Sequence, residues 1–344
     1  MLKGKRILVL GDPSFFEEGI GRYLAKNNDV RYEEPGTIFS LARHLASADL
    51  VWVEWAGKWC SLVGRLRPPC RTVCRIHRVE IFRPRRIDLH HWDAYDHVFL
   101  VSGRMRQCFI ERIENHPQPK TTSVLYNGID LFQYSFKDRK PGFNIAAIAH
   151  VNFRKNLEMM IWIMNQLVQI DRRYRLTVVG GVFEEDCLDA FLFNIKRAGL
   201  SENIHYEGML KHDQIPQWLA DKNFILSTSL HEGHPVALNE AMACGIKPVI
   251  YEYPGSLEVF PKDLLFDTVS GAVDLITSGQ YDSRRYREWV AARFALENQC
   301  DKIESELGRI LELPGHNSRW DFVITTLKSA WYRRSFRIPQ LSSD

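Results

Sequence analysis

The sequence has no apolar run approaching the roughly 20 residues a membrane-spanning helix needs, so a transmembrane anchor is not expected. At the N-terminus only Ile7–Leu10 separates Lys3, Lys5 and Arg6 from Gly11 and Asp12. That run is too short for a signal-peptide core and fits a first β-strand. The 7 cysteines are an odd number and none stands in C-x-x-C spacing. Cys70 and Cys74 are near each other but have no second pair, so neither a zinc site nor a disulfide framework is expected. A reducing cytoplasm is the expected compartment. The chain carries no internal repeat, no low-complexity segment, and no helix-turn-helix, finger or RNP signature, so nucleic acid is not an expected partner.

What is present is length and alternation. The 344 residues suffice for two domains, and an apolar fraction of 45% fits large buried cores. Net charge is only +3, yet residues 1–140 carry roughly +7 and the remainder about −4. Arginines cluster at 65–67, 83–86 and 104–106, and again at Arg333, Arg334 and Arg337. They read either as solvated surface or as an N-terminal half that meets an anionic membrane or an anionic acceptor.

Strand and helix patterns alternate, which predicts α/β architecture with parallel sheets covered on both faces. In the first half strands are expected at 6–10, 50–54, 72–76, 97–101 and 123–126, with helices at 19–26 and 104–114. The charged stretch KDRKPG at 137–142 reads as a linker. Beyond it, strands at 144–149, 176–179, 204–206, 224–227 and 248–251 alternate with helices at 157–170, 185–198, 215–220 and 236–244. Residues 281–311 read as helical up to the Pro314-Gly315 break, followed by an amphipathic helix over 320–333. The expected domains are 1–136, a linker at 137–143, 144–313, and a C-terminal helical segment at 314–344.

The most informative stretch is 227–250, STSLHEGHPVALNEAMACGIKPVI. A buried strand runs into a polar loop with Glu232, Gly233 and His234. Pro235 and Val236 then open a helix that Gly245 stops. Such a unit points helix-start N–H groups into the crevice at the strand ends, where anions bind. Glu232 and Glu240 flank that place. Glu240 lies among Ala237, Leu238, Ala241, Met242 and Ala243, so its carboxylate must be paired or bind something. Carboxylates beside an anion site suit sugar hydroxyls, and the combination reads as a nucleotide-sugar pocket.

Arg154 and Lys155 stand at the carboxyl end of a strand and just ahead of a helix, where two cations oppose the helix dipole unless an anion is bound. A diphosphate fits. His77 ends the strand 72–76; such a histidine is most often structural, but a strand-end position also lines the crevice of a doubly wound sheet. Gly11 with Gly19-x-Gly21 is a poor dinucleotide fingerprint, because the GxG does not follow the strand directly and Leu24 replaces the third glycine. Residues 11–21 read instead as a flexible loop.

Residues 227–250 resemble the E-x7-E signature of retaining GT-B glycosyltransferases, specifically the large family 4. Glu232 and Glu240 match its two glutamates, and EG-x-P and EAMACG are typical flanks. Asn127-Gly128-Ile129-Asp130 resembles the NG-[IV]-D that leads into the family's linker, and FRKNLEMMI at 153–161 its diphosphate-binding segment. Residues 176–180 resemble its LxxVG strand, 204–210 its G-x-[VL] turn, and RIHRVE at 75–80 its strand-end histidine. The likeness is strong over 124–262 and weak in the first 120 residues.

The resemblance implies two Rossmann-like domains facing across a cleft, with a C-terminal helix crossing back to the first. It implies that Arg154 and Lys155 hold the diphosphate and Glu240 the ribose. Glu232 and the N–H groups around Gly233 and His234, at the Pro235-Val236 helix start, would hold the donor sugar. Gly208, Met209 and Leu210 would line the base pocket, Gly180 and Gly11, each after a strand, would also be donor-binding, and His77 would contact the sugar from the other domain. Where the family has Gly-Arg after the first strand of the second domain, this chain has Ala149-His150.

The expected reaction is sugar transfer with retention from a nucleotide diphosphate sugar to a hydroxyl of a glycan, lipid-linked or small-molecule acceptor. No cofactor and no metal are expected, because no D-x-D is placed to hold Mg²⁺ at the diphosphate and the two cations can stabilise the leaving group. A GT-B epimerase or hydrolase, and an inactive nucleotide-sugar binding protein, remain as alternatives.

Overall fold

The computed structural model describes residues 2–11, 17–82, 87–314, 322–323 and 325–327. The arginine clusters at 83–86 and 333–337, and most of the segment 320–333, lie outside these residues. The chain forms two compact units, Met1–Gly128 with Leu296–Asp344, and Ile129–Ala295.

The first unit is built on six parallel strands: β1 Arg6–Leu10, β2 Asp29–Tyr32, β3 Leu50–Glu54, β4 Arg71–Ile76, β5 His97–Leu100 and β6 Thr122–Val124. Their order is β2-β1-β3-β4-β5-β6. β3, β4 and β5 are buried along their whole length, as strands covered on both faces are, although β4 carries the buried polar residues Arg71, Thr72 and Arg75. The longer helices are α1 Ile38–Ser47, α2 Lys58–Leu66 and α3 Gly103–Arg112. Thr37 and Ser102 cap α1 and α3 by accepting from Ser40 and Met105 amides. The helix expected over 19–26 is there and starts earlier: residues 17–21, at the end of the stretch also read as flexible loop, form a helical turn that continues into Arg22–Ala25.

The second unit has its own six parallel strands: β7 Asn144–Ile148, β8 Arg175–Val179, β9 Ile204–Tyr206, β10 Phe224–Ser227, β11 Lys247–Tyr251 and β12 Leu265–Phe266. Their order is β12-β11-β10-β7-β8-β9. Counted within the unit this is the doubly wound 3-2-1-4-5-6 order, whose crevice opens outside the carboxyl ends of the two central strands, here β7 and β10. In the first unit the order reverses between β1 and β3. The longer helices of the second unit are α4 Leu157–Ile170, α5 Glu185–Arg197, α6 Val236–Ala243, α7 Val269–Thr277 and α8 Ser283–Phe294, with short ones at Ile215–Trp218 and Ser256–Val259.

Two boundaries differ from the sequence reading, each for a tertiary reason. The stretch 137–142, expected as linker, packs inside the second unit. There Arg139 donates to the carbonyls of Cys244 at 3.0 Å, Ala220 at 3.1 Å and Lys222 at 2.7 Å. The helical stretch expected over 281–311 divides at Ala295, which has extended ψ of 143°. Beyond it α9, Leu296–Glu312, belongs to the first unit rather than to a domain ending at 313. Its Ile303, Leu307 and Ile310 join the core of Leu50, Trp52, Phe99 and Leu125. Of the expected 320–333 helix, the five described residues are helical, and Phe322 is buried in the first unit's core with α1 and α2. Among the described residues no helix is long and apolar enough to cross a membrane.

Candidate functional site

In the second unit the loop after β10 and the segment after β7 are stitched together by backbone. Leu230 N–H donates to Arg154 O at 2.9 Å, and Thr228 Oγ1 donates to Lys155 O at 2.7 Å. Asn156, with φ 48°, turns the chain from the 3-10 turn Phe153–Lys155 into α4. The stitching brings Arg154, Lys155 and Glu232 together at the switch point. Glu232 Oε1 accepts from Arg154 at 2.6 Å and from Lys155 Nζ at 2.6 Å, and Arg154 also donates to His231 O at 3.0 Å.

Burial alone would push the Glu232 carboxyl up. The Lys155 and Arg154 charges, with hydrogen bonds from Lys155 and Ser229, outweigh it and hold the group down at about 2. Two cations against one carboxylate leave the cluster with a net positive charge, which suits a phosphate. Nearby His150 is held below its ordinary value by burial and by Lys155 and Arg154, so it is neutral at pH 7. Its Nδ1 accepts the Gly181 amide at 3.0 Å, and its ring packs on Phe183.

The depressed Glu232 carboxyl is a stability statement. Its folded value lies below the ordinary 4.5, so the stabilisation is complete above about pH 4.5 and is lost as pH falls toward 2. That window carries at most about 3 kcal/mol. Glu232→Gln is expected to melt with a flatter pH dependence between about 5 and 2 than wild type. Parallel pH–melting curves would refute the assignment.

Glu240 lies one helical turn from the end of α6, which is buried from Leu238 to Ala243. Its Oε1 is 2.8 Å from His212 Nε2, which is also 3.0 Å from the Tyr134 hydroxyl. Burial, then the Glu240 charge, raises the Tyr134 hydroxyl so that it stays protonated. Neither His212 nor Tyr134 was expected from the sequence. Gly233 and His234 are buried at the helix start, where the His234 ring packs on Phe294 with centroids 4.7 Å apart. Pro235 is the residue before the helix rather than its first turn, and Val236 begins it. Gly180 follows β8, and its amide donates to Gly208 O at 2.8 Å. Met209, beside Gly208, is 73% exposed, and Leu210 follows it in the segment after β9.

His77 and Gly11 stand in the first unit. His77 directly follows β4, is buried, and places Nε2 2.7 Å from Glu54 Oε1 at the end of β3. Burial lowers the imidazole, the Glu54 hydrogen bond raises it, and Arg75 lowers it further; the net direction is down, so His77 is neutral at pH 7. Burial raises the Glu54 carboxyl, but Arg75 and His77 bring it below its ordinary value, so it is ionised. Gly11 follows β1 and lies against the Glu54 backbone, where a Cβ would stand 2.1 Å from Glu54 O. Glu54 was not among the expected site residues, since a glutamate ending a strand gives no sequence signal by itself.

Residues 133–265 match the family model described as glycosyl transferases group 1. The chain is 25% identical over 174 residues to one of the subunits of human phosphatidylinositol N-acetylglucosaminyltransferase, covering 49% of this chain and 34% of that protein. It is 24% identical over 165 residues to a GDP-mannose:cellobiosyl-diphosphopolyprenol alpha-mannosyltransferase of Xanthomonas oryzae, covering 47% and 41%. The match therefore spans less than half the length of these relatives. Among solved structures, Anabaena Alr3699/HepE in complex with UDP and glucose superposes with TM-score 0.70 at 17% identity, covering 89% of this chain and 100% of that one. Sucrose-phosphate synthase from Thermosynechococcus elongatus gives 0.70 at 14% identity, covering 89% and 99%. The two parallel six-stranded sheets thus form a GT-B fold, and residues 133–265 carry a glycosyl transferases group 1 domain.

Proposed function

We propose that the protein is a retaining, metal-independent glycosyltransferase of family 4. It moves a sugar from a nucleotide diphosphate sugar to a hydroxyl of a glycan, lipid-linked or small-molecule acceptor. The observation that carries this reading is the Arg154–Lys155–Glu232 cluster at the switch point of a doubly wound sheet. Arg154 and Lys155 hold the diphosphate and stabilise the charge it gains on leaving. Glu232 and the amides around Gly233 and His234 hold the donor sugar, His77 contacts it, and Gly208–Leu210 border the base. The departing phosphate oxygen takes the acceptor proton on the same face. Support comes from the UDP and glucose held by one structural neighbour and from the sugar transfer named for the relatives.

A donor-cleavage assay across UDP-, GDP- and ADP-sugars, with and without acceptors, tests the proposal. Acceptor-dependent cleavage with α-to-α stereochemistry supports it. Cleavage or isomerisation that ignores acceptor would point to a hydrolase or epimerase, and binding alone to an inactive module.

Glu240 is assigned to the ribose hydroxyls. Its hydrogen-bonded neighbours His212 and Tyr134 keep the carboxylate oriented before nucleotide arrives. Glu240→Ala is expected to weaken nucleotide binding by about 10- to 100-fold, the loss of roughly 1.5–3 kcal/mol for hydrogen bonds to a charged group. Calorimetry checks this, and unchanged affinity in a folded variant removes Glu240 from the ribose.

A further inference from the structure

We infer that Glu54 is a positioning residue for His77: it fixes which imidazole nitrogen carries the proton and therefore which one can accept from a sugar hydroxyl. The inference rests on the reading of His77 as a sugar-contacting group.

The geometry is confined to the first unit. Glu54 and Arg75 are register partners on neighbouring strands β3 and β4, and His77 follows β4 by one residue. Trp52 precedes Glu54 by two residues and so points to the same face of the strand. Two donors converge on the two carboxylate oxygens of Glu54. Trp52 Nε1 donates to Oε2 at 2.8 Å, and His77 Nε2 lies 2.7 Å from Oε1. Glu54 is 1% exposed, so bulk water does not reach its oxygens. Arg75 Nε stands 3.7 Å from Oε1, beyond hydrogen-bond length, and balances the charge; Arg75 donates to Asn127 instead.

The imidazole plane is fixed from two further directions. Its ring stacks on Trp55, with centroids 4.0 Å apart and planes 23° apart. Trp55 holds φ 69°, a region that bulky residues avoid, directly after Glu54. The His77 amide donates to Glu80 Oε1 at 3.3 Å, and the Ala56 amide donates to the same oxygen at 3.1 Å. The loop after β3 and the strand end of β4 are therefore pinned to one carboxyl, and the ring's orientation does not depend on Glu54 alone. What Glu54 bears on is the tautomer, through its contact with Nε2. An ionised carboxylate only accepts, so Nε2 is the protonated nitrogen and Nδ1 becomes the acceptor of a neutral ring.

This gives a test that a structural role would not satisfy. A glutamine at position 54 has one accepting oxygen for two converging donors. The indole N–H of Trp52 is a donor only, whereas an imidazole can move its proton. The amide oxygen should turn to Trp52 and the amide NH₂ to His77, forcing the Nδ1–H tautomer. In ¹⁵N-histidine-labelled protein, wild type is expected to show Nε2–H and Glu54→Gln to show Nδ1–H. Removing the competing donor, in Trp52→Phe with Glu54→Gln, is expected to return Nε2–H. Turnover should follow: a fall of about 10-fold in Glu54→Gln, the scale of one lost hydrogen bond to a neutral group, with recovery in the double variant. An Nδ1–H ring in wild type, or an Nε2–H ring with wild-type turnover in Glu54→Gln, overturns the inference. His77→Ala separates the two readings. Near-wild-type turnover in that variant overturns the role of His77 at the sugar, while a slow His77→Ala beside an unaffected Glu54→Gln overturns the role of Glu54 alone.

Discussion

Arg154→Ala or Lys155→Ala is expected to slow transfer by about 10²–10³-fold at saturating donor, a larger effect than either has on the stability of the fold. Removing one preorganised electrostatic group from a site of developing charge typically has that effect, about 2.7–4 kcal/mol in the barrier. Both side chains are largely buried and converge on one oxygen of Glu232 at 2.6 Å. Either one alone still neutralises Glu232, which is why the fold should survive the single variants. The surplus charge, the part available to a phosphate, disappears with either. Steady-state rates for both variants, beside their melting curves, decide the matter. If both variants turn over like wild type, the phosphates sit elsewhere.

Gly180→Ala is expected to destabilise the second unit by about 3 kcal/mol or more. Gly180 has φ 153°, a conformation L side chains rarely adopt, and strain of this kind typically runs about 1–3 kcal/mol. An added Cβ would also stand 2.2 Å from Ala149 O and 2.4 Å from Ala149 C. That carbonyl is backbone, and the Ala149 amide is tied to Val179 O at 2.8 Å, so it cannot retreat without breaking the ladder between β7 and β8. Overpacking adds about 1–3 kcal/mol. In a unit of this size the sum corresponds to roughly 6–12 °C in melting temperature. Gly181→Ala is the control, since its Cβ would meet nothing closer than side-chain atoms at 3.4 Å. Equal melting temperatures for the two variants would contradict the argument.

The sequence revealed the site best where its chemistry is local. The strand, loop and helix of 224–243 follow from an apolar run, a polar loop and Pro235, and the segment 153–157 from its place between a strand and a helix. These two pieces contain Glu232, Arg154 and Lys155. The partners of Glu240 were not legible, because His212 is separated from it by 28 positions and Tyr134 from His212 by 78. Glu54 was missed for the same reason, as its meaning comes from a histidine 23 positions away. The break at Ala295 has no glycine or proline beside it; what separates α8 from α9 is that each buries its apolar face in a different unit. The edge strand β2 was missed because only four residues form it and none is fully buried.

The cysteines, which hold no disulfide among the described residues, give the molecule an internal set of opening reporters. Six of the seven are buried, and only Cys187 on α5 is partly accessible. A thiol reagent should therefore modify Cys187 in the native state, slowly, because its hydrogen bond to Glu184 raises its thiol above the ordinary value. Cys60, Cys70, Cys74, Cys244 and Cys300, at most 4% exposed, should react mainly when the surrounding backbone opens. Cys60, Cys70, Cys74, Cys108 and Cys300 belong to the first unit and Cys244 to the second, where it caps α6 immediately after Glu240's helix. Peptide-resolved labelling rates would then measure the opening free energy of each unit separately, in one unmutated sample. A nucleotide bound in the second unit should slow labelling of Cys244 while leaving the intrinsic opening of the first-unit thiols unchanged.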